Sequence, residues 1–150
     1  MQTNDNAQFH IVAVKAWIEK DNKFLLAKRG PNELHKPNTW SLPGGKIEDE
    51  IEEPNILQKT LRREIKEEVE IEITDNIELI YNNSFIRVDG AHVVVLTFLC
   101  HYKSGEAKPL EDTAETRWFT IEELKRLVGV EDFLKREISE LEKYLKKIII

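Results

Sequence analysis

The sequence predicts an α/β or α+β domain, because segments with the alternating pattern of β-strands are interspersed with segments that have the spacing of amphipathic helices. Alternation is clearest in residues 10–19, where every second residue from Val12 to Ile18 is apolar. Helical spacing is clearest in residues 55–69 and in residues 131–148. A chain of 150 residues is the size of one domain and can bury a full core without disulfides or a structural metal.

The N-terminal half contains three extended segments and one helix. Residues 1–9 are polar, and we predict that they form a flexible tail before a single domain of residues 10–150. The elements predicted next are a strand over 10–19, a turn at Asp21-Asn22, a strand over 24–29, a loop over 30–38, and an extended segment over 40–47 that the pair Gly44-Gly45 breaks. A helix follows from about Pro54 or Asn55 to Val69, and its apolar residues recur every three or four positions.

The C-terminal half is predicted to complete the sheet and to end in a helix. Its expected strands cover 71–73, 77–81, 85–88, 92–102 and 116–119, with a hairpin turn at Asp89-Gly90 and a polar loop over 103–113. Thr120 and Glu123 are spaced as a capping box for a short helix that reaches about Leu127. Leucine and isoleucine recur in heptad-like steps over 131–148; this seam is expected to pack on the chain's own sheet, and pairing of two subunits is the alternative.

Composition narrows the classes of function. The formal net charge of −6 argues against a broad surface for DNA or RNA. The N-terminal residues lack the basic start and apolar core of a signal peptide, and no apolar run reaches the length of a membrane span. Cys100 is the single cysteine, so an internal disulfide is impossible, in keeping with a reducing compartment. We therefore expect a cytoplasmic protein.

Three glutamates in the predicted helix are the first candidates for chemistry. Glu64, Glu67 and Glu68 stand at positions i, i+3 and i+4, so they share one face of the helix. Like charges at this spacing repel, and bound divalent cations such as Mg²⁺, which prefer carboxylate oxygens and bridge to phosphates, would relieve the repulsion. Taken alone, the same residues also suit an ordinary solvated face with Arg63 and Glu67 as an ion pair.

The residues around this helix resemble the Nudix family. Pro43-Gly44-Gly45-Lys46-Ile47-Glu48 is similar to the start of the family's signature, and the nine residues from Arg63 to Ile71 are similar to its end. The resemblance covers most of residues 10–128. It implies an α/β/α sandwich with a central mixed sheet, and hydrolysis of the pyrophosphate bond of a nucleoside diphosphate linked to another group.

Two departures from the signature stand out. Gly45 and Arg63 are 18 positions apart, against 14 in the family pattern, so the intervening loop carries four more residues, and Asn55 stands where the pattern has an isolated glutamate. Glu70 stands where the family has a glycine. Glycine would suit a left-handed helix end, so Glu70 predicts a different exit or a helix that runs slightly further.

The resemblance also implies roles for individual residues. Glu64 and Glu68 would be the principal ligands of Mg²⁺ or Mn²⁺, Glu67 a further or water-mediated ligand, and the Gly45 carbonyl would complete the inner site. Arg63 would orient a glutamate through a charge-assisted hydrogen bond. Glu64 is the first choice for general base. The acidic residues before Trp118 are the alternative, namely Glu111, Asp112 and Glu115.

Candidates for substrate binding are less specific. Lys46 and Arg29 could contact phosphate, with Lys28 as a further possibility, and Trp40 could stack on a base. Glu115 is a further candidate for substrate binding. The open alternatives are surface roles for the lysines and the arginine, a core or rim position for Trp40, and a solvated loop position for Glu115. Substrate candidates are nucleoside triphosphates, mildly favoured by the small size, and nucleotide sugars, ADP-ribose and dinucleoside polyphosphates. A non-catalytic nucleotide-binding module is the alternative function, and a homodimer is possible.

Overall fold

The structure is a computed structural model that describes residues 8–32, 36–48 and 52–148. Most of the predicted tail lies outside the described residues. The strands are β1 (Ile11–Lys20), β2 (Lys23–Arg29), β3 (Trp40–Ser41), β4 (Gly44–Lys46), β5 (Glu72–Ile73), β6 (Glu78–Ile86), β7 (His92–Ser104) and β8 (Thr113–Phe119). The helices are α1 (Ile56–Val69), α2 (Ile121–Lys125) and α3 (Asp132–Ile148).

The strands form one mixed sheet around β1. Strand β7 runs parallel to β1 from the pair Ile11 and Val93 to the pair Glu19 and His101, and it occupies one whole edge of β1. The other edge is divided, because β2 pairs with β1 at residues 19–20 and β4 pairs with it at residues 13–15. Strands β2 and β4 therefore separate beside the middle of β1, and this separation opens the cleft described below.

Alternation along the strands supplies a core on each face of the sheet. On β1, Val14, Ala16 and Ile18 pack with Leu61, Ile65 and Val69 of helix α1. Trp17 points to the opposite face, where it joins a second core under helices α2 and α3. The predicted α/β/α sandwich with a central mixed sheet is confirmed.

The least accurate prediction concerned strand β6. Residues 77–81 and 85–88 were predicted as two strands, but β6 is one strand with a register shift between Leu79 and Tyr81. The polar run Asn82-Asn83-Ser84 does not break it, because among the described residues β6 pairs only with β7, and an edge strand tolerates polar side chains. The pair Gly44-Gly45 was predicted to break an extended segment, and instead forms the first two residues of β4.

The heptad-like seam of helix α3 packs against the core of the same chain. Leu134, Ile138 and Leu141 are buried against the second core, as preferred in the prediction, while Ile148 is 59% exposed. The capping box of α2 is also present: the Thr120 hydroxyl accepts from the Glu123 N–H at 3.1 Å, and the Glu123 carboxylate accepts from the Thr120 N–H at 2.9 Å. In the described part of the chain, no helix combines the length and the apolar character that crossing a membrane requires.

The C-terminal end of α1 corrects the expectation for Glu70. This residue neither extends the helix nor changes its exit: it adopts the left-handed conformation, with φ of 61° and ψ of 38°, and its N–H donates to the Lys66 carbonyl. The chain thus makes the turn that glycine makes easily with a residue that carries a side chain. In this conformation a non-glycine residue lowers the stability of the folded state by about 1 kcal/mol or more.

Replacing Glu70 with glycine should therefore raise the free energy of unfolding by about 1 kcal/mol. The loss is small, because the Glu70 contact with Lys108 spans 3.7 Å between exposed side chains. Denaturant unfolding would measure the effect. Asn55→Gly is the matched control, because Asn55 is left-handed at the other end of α1, with φ of 57°, but asparagine tolerates this conformation. An unchanged midpoint for Glu70→Gly would contradict the prediction.

Candidate functional site

Two glutamates of helix α1 are held against strand β4. The buried stripe that ends in Ile65 and Val69 fixes the helix on the sheet, so Glu64 and Glu68, one turn apart, face Gly44 and Gly45. The Gly44 N–H donates to Oε2 of Glu68 at 3.0 Å. The strand and the helix are therefore joined directly at the proposed ligands.

The two glycines are required by close approaches of different kinds. A β-carbon on Gly45 would lie 2.4 Å from Cδ and 2.6 Å from Oε2 of Glu64, so the carboxylate occupies the space of the missing side chain. A β-carbon on Gly44 would lie 2.0 Å from the Val14 carbonyl oxygen, which is backbone of the central strand. Gly45 thus makes room for a functional group, and Gly44 makes room for the sheet.

Arg63 lies at the outer side of this pair. Its Nη2 donates to Oε1 of Glu64 at 3.2 Å, and its Nη1 lies 3.6 Å from Oε1 of Glu48. Its Nε is 4.0 Å from Oε1 of Glu67 and has no hydrogen-bond partner among the described residues. The guanidinium group therefore donates a hydrogen bond to the Glu64 carboxylate and lies close to two further carboxylates.

Both proposed ligands have a pKa above that of a free glutamate. Burial raises the pKa of Glu68, and the positive charge of Lys15 and the Gly44 N–H only partly oppose this. Burial also raises the pKa of Glu64, and the neighbouring charge of Glu67 adds to the effect. Burial thus disfavours the charged form of both carboxylates, and a cation bound between them would stabilise that form.

A cleft of about 420 Å³ lies over these glutamates. Its lining includes four basic side chains and four acidic ones, namely Lys15, Lys28, Arg29, Lys46, Glu64, Glu68, Glu111 and Asp112. The mixture of charges is suited to a polyanion that binds together with metal cations, because the carboxylates would hold the metals and the basic groups the remaining oxygens.

Residues 105–112, which connect β7 to β8 and are called the late loop here, are joined to the end of helix α1 by backbone hydrogen bonds. The N–H groups of Lys108 and Leu110 each donate at 3.0 Å, to the carbonyls of Val69 and Glu68 respectively. The Gly30 N–H donates to the Asp112 carbonyl at 2.6 Å. These bonds place Glu111 and Asp112 at the cleft, and the charge of Glu111 contributes to the raised pKa of Glu64.

The structure separates the other predicted site residues into two groups. Lys46 and Arg29 line the cleft together with Lys28. Three predicted residues are not among those that line it: Glu67, Trp40 and Glu115. Trp40 packs edge-on against Phe119 at 5.4 Å between ring centroids, and Glu115 is ion-paired with Arg117 at 2.8 Å.

Lys15 lines the cleft and was missed by the sequence analysis. It lies in the middle of β1, opposite Gly44, on the face that does not contact α1. Burial lowers its pKa, against the raising effects of Glu68 and Glu137. The available signal was a lysine within an otherwise apolar alternating strand.

Alternative chemistries find little support in the described residues. Cys100 is buried, and burial raises the pKa of its thiol to about 12, so a nucleophilic thiolate is not available. Nowhere in residues 8–32, 36–48 and 52–148 do three histidine, cysteine, aspartate or glutamate side chains converge as a ready-made metal centre. Two carboxylates with backbone oxygens are a donor set typical of Mg²⁺, which binds through one or two carboxylates and substrate phosphates.

Fold and cleft together define a class: an α/β/α sandwich in which a double-glycine strand faces the glutamates of a helix. A profile of the NUDIX domain matches residues 9–140. This chain belongs to the NUDIX family.

Individual proteins are similar over much of the chain. An ADP-ribose pyrophosphatase of Methanocaldococcus jannaschii is 35% identical over 118 residues, which cover 77% of this chain and 65% of that protein. The match thus spans slightly less than two thirds of the relative. Among solved structures, a MutT NUDIX hydrolase from Burkholderia pseudomallei has a TM-score of 0.73 at 25% identity, with 89% of this chain and 98% of that chain covered. The NUDIX domain of Shewanella oneidensis NrtR, solved with ADP ribose, has a TM-score of 0.74 at 16% identity, covering 96% of this chain and 94% of that one.

Proposed function

We propose that this chain is a divalent-metal-dependent hydrolase that cleaves the pyrophosphate bond of a nucleoside diphosphate linked to another group. The observation that carries the proposal is the placement of Glu64 and Glu68 against Gly44-Gly45, in a cleft that also presents basic side chains. The reaction needs carboxylates that bind a metal ion and cationic side chains that bind phosphate oxygens. The cleft contains both kinds of side chain.

ADP-ribose is the first substrate to consider. The relative from M. jannaschii, which shares 35% identity over 118 residues, is named for this activity. ADP-ribose has a pyrophosphate between two sugars, so basic groups for its oxygens and carboxylates for a bound metal suit it better than they suit a neutral ligand. Nucleoside triphosphates, nucleotide sugars and dinucleoside polyphosphates share the same central chemistry.

Glu64, Glu68 and the Gly45 carbonyl would hold Mg²⁺ or Mn²⁺, with Glu67 as a ligand through water at the outer side. When bound, the metal would polarise the phosphoryl oxygens and lower the pKa of a coordinated water. Arg63 orients the Glu64 carboxylate through its bond to Oε1. Lys46 and Arg29 would bind the phosphates of the substrate, and their position in the cleft lining supports this role.

The proton of the attacking water requires a carboxylate acceptor. Glu64 is the first choice, because its carboxylate lines the cleft beside Gly45. Glu111 is the candidate from the late loop, because it also lines the cleft and its charge acts on Glu64. Glu115 is a weaker candidate, since it is paired with Arg117 and lies outside the lining.

The test is a panel of ADP-ribose, a nucleotide sugar, a nucleoside triphosphate and a dinucleoside polyphosphate, each incubated with Mg²⁺ and with Mn²⁺. We expect metal-dependent release of a nucleoside monophosphate, with ADP-ribose among the best substrates. Tight binding of a nucleotide without metal and without turnover of any panel member would replace the hydrolase with a nucleotide-binding module. Turnover that persists in excess chelator would contradict the metal dependence.

A further inference from the structure

Lys15 is a basic residue whose burial disfavours its charged form. Its side chain is partly buried beside Gly44, and burial is the first cause of its lowered pKa. Within the described part of the chain, no carboxylate lies within ion-pair distance of its ammonium group. A lysine in the middle of a core strand is unfavourable unless something accepts its three donors. The cleft that it lines is the place where an acceptor can bind.

A buried carboxylate lies on the same face of the sheet. Lys15 pairs in register with Thr97 of β7, whose hydroxyl donates to Oε2 of Glu137 at 2.6 Å. Glu137 comes from helix α3 and is 1% exposed, and its Oε1 has no hydrogen-bond partner in the described residues. Burial raises the pKa of Glu137 to about 7, and the charge of Lys15 acts in the opposite direction.

The positive charge of Lys15 therefore acts on a carboxylate on each side of the central strand. Its influence lowers the pKa of Glu68 in the cleft and that of Glu137 under α3. Glu68 and Glu137 are the carboxylates whose charges most favour the ammonium form of Lys15. Arg29 acts against it, as a like charge.

We propose that Lys15 binds a phosphate group of the ligand, and that Glu137 is a positioning residue whose nearby negative charge stabilises the ammonium group for this contact. The proposal rests on the proposed function, since it assumes a ligand with phosphate groups. A lysine is a compact charge with three donors, suited to non-bridging phosphate oxygens that a metal leaves free. Helix α3 would then contribute to the site without contacting the ligand.

The probe is inorganic pyrophosphate in the presence of Mg²⁺, with binding followed by calorimetry. Lys15→Met should weaken binding by about tenfold or more, the usual cost of losing a charged hydrogen bond, and Lys15→Arg should restore most of it. Glu137→Gln keeps the size of the side chain and the acceptor for Thr97. It should weaken binding about threefold or more in the wild-type background and leave Lys15→Met unchanged.

Matched controls are available for both residues. Lys23→Met removes an exposed lysine at the start of β2, and Glu142→Gln removes a carboxylate on α3 that pairs with Lys125. Both should bind pyrophosphate like the wild type. Binding by Lys15→Met within twofold of the wild type would overturn the proposal, as would an equal effect of Glu137→Gln with and without Lys15, or a folded wild type that binds no pyrophosphate.

The outcome is separable from that of the proposed function. Pyrophosphate binding that depends on Lys15, in a protein that turns over no member of the panel, would support this site and end the hydrolase proposal. Full turnover by Lys15→Met with the KM and the pyrophosphate affinity of the wild type would overturn this site and leave the hydrolase.

Discussion

Glu68→Gln is expected to abolish most of the metal-dependent turnover while leaving the fold intact. Glutamine keeps an oxygen that can accept the hydrogen bond from the Gly44 N–H, which in the wild type spans 3.0 Å to Oε2 of Glu68. It loses the negative charge that binds a divalent cation. We expect kcat to fall by roughly 10²–10⁴, the range for loss of a group that stabilises charge in the transition state. Affinity for Mn²⁺ should fall in parallel.

Stability should move in the other direction. Because burial raises the pKa of Glu68, its ionised form at neutral pH is less favourable in the folded protein than in the unfolded chain. Glutamine removes this penalty, so the metal-free variant should have a Tm equal to or above that of the wild type. Glu72→Gln is the control, since it removes an exposed carboxylate just beyond α1 that is paired with Lys66. A Glu68→Gln protein with kcat within threefold of the wild type would remove Glu68 from the site.

Gly45→Ala and Gly44→Ala are expected to fail in different ways although they are neighbours. The methyl group on residue 45 would overlap the carboxylate of Glu64, which is the far end of a flexible side chain. The chain can therefore fold by displacing Glu64, and displacement of a catalytic group by about 1 Å can cost about 100-fold in rate. We expect turnover to fall about 100-fold or more, with a small loss of stability.

The methyl group on residue 44 would instead meet backbone, 2.0 Å from the Val14 oxygen and 2.9 Å from the Lys15 Cα. Only a shift of β4 from β1 relieves this, so the free energy of unfolding should fall by about 3 kcal/mol or more. Gly129→Ala is the control for backbone conformation without steric overlap, because Gly129 has a φ of +72° and no atom lies within 4 Å of its β-carbon position. It should lower the free energy of unfolding by about 1 kcal/mol and leave turnover unchanged. Similar losses of stability for Gly44→Ala and Gly129→Ala would contradict the argument.

Elements defined by local pattern were predictable from the sequence. The stripe that includes Leu61, Ile65 and Val69 predicted α1 to within two residues at its start and to the residue at its end. The capping box of Thr120 and Glu123 predicted the start of α2. In each case neighbours along the chain determine the structure, so no knowledge of the rest of the fold was required.

Features that depend on distant contacts were not predictable. The polar run in β6 is a strand because β7 pairs with it, and Glu70 is left-handed because the chain must turn there whatever residue it carries. Lys15 became a candidate only when the β1–β7 register placed it beside Thr97 and the packing of α3 brought Glu137 over that residue. Because Lys15 and Glu137 are far apart in the sequence, no local pattern indicates that they lie on the same face of the sheet.

The late loop has a consequence for how the length of this chain can vary. The four residues added between Gly45 and Arg63 precede α1, whose position is set by its buried stripe and by the Gly44 bond to Glu68. An insertion there leaves the site in register. Residues 108–112 are spaced by backbone bonds to Val69 and Glu68 at one end and to Gly30 at the other. Adding or deleting a residue in that short span would shift Glu111 along the cleft, so length variation among natural relatives should accumulate before the helix and be rare in this span.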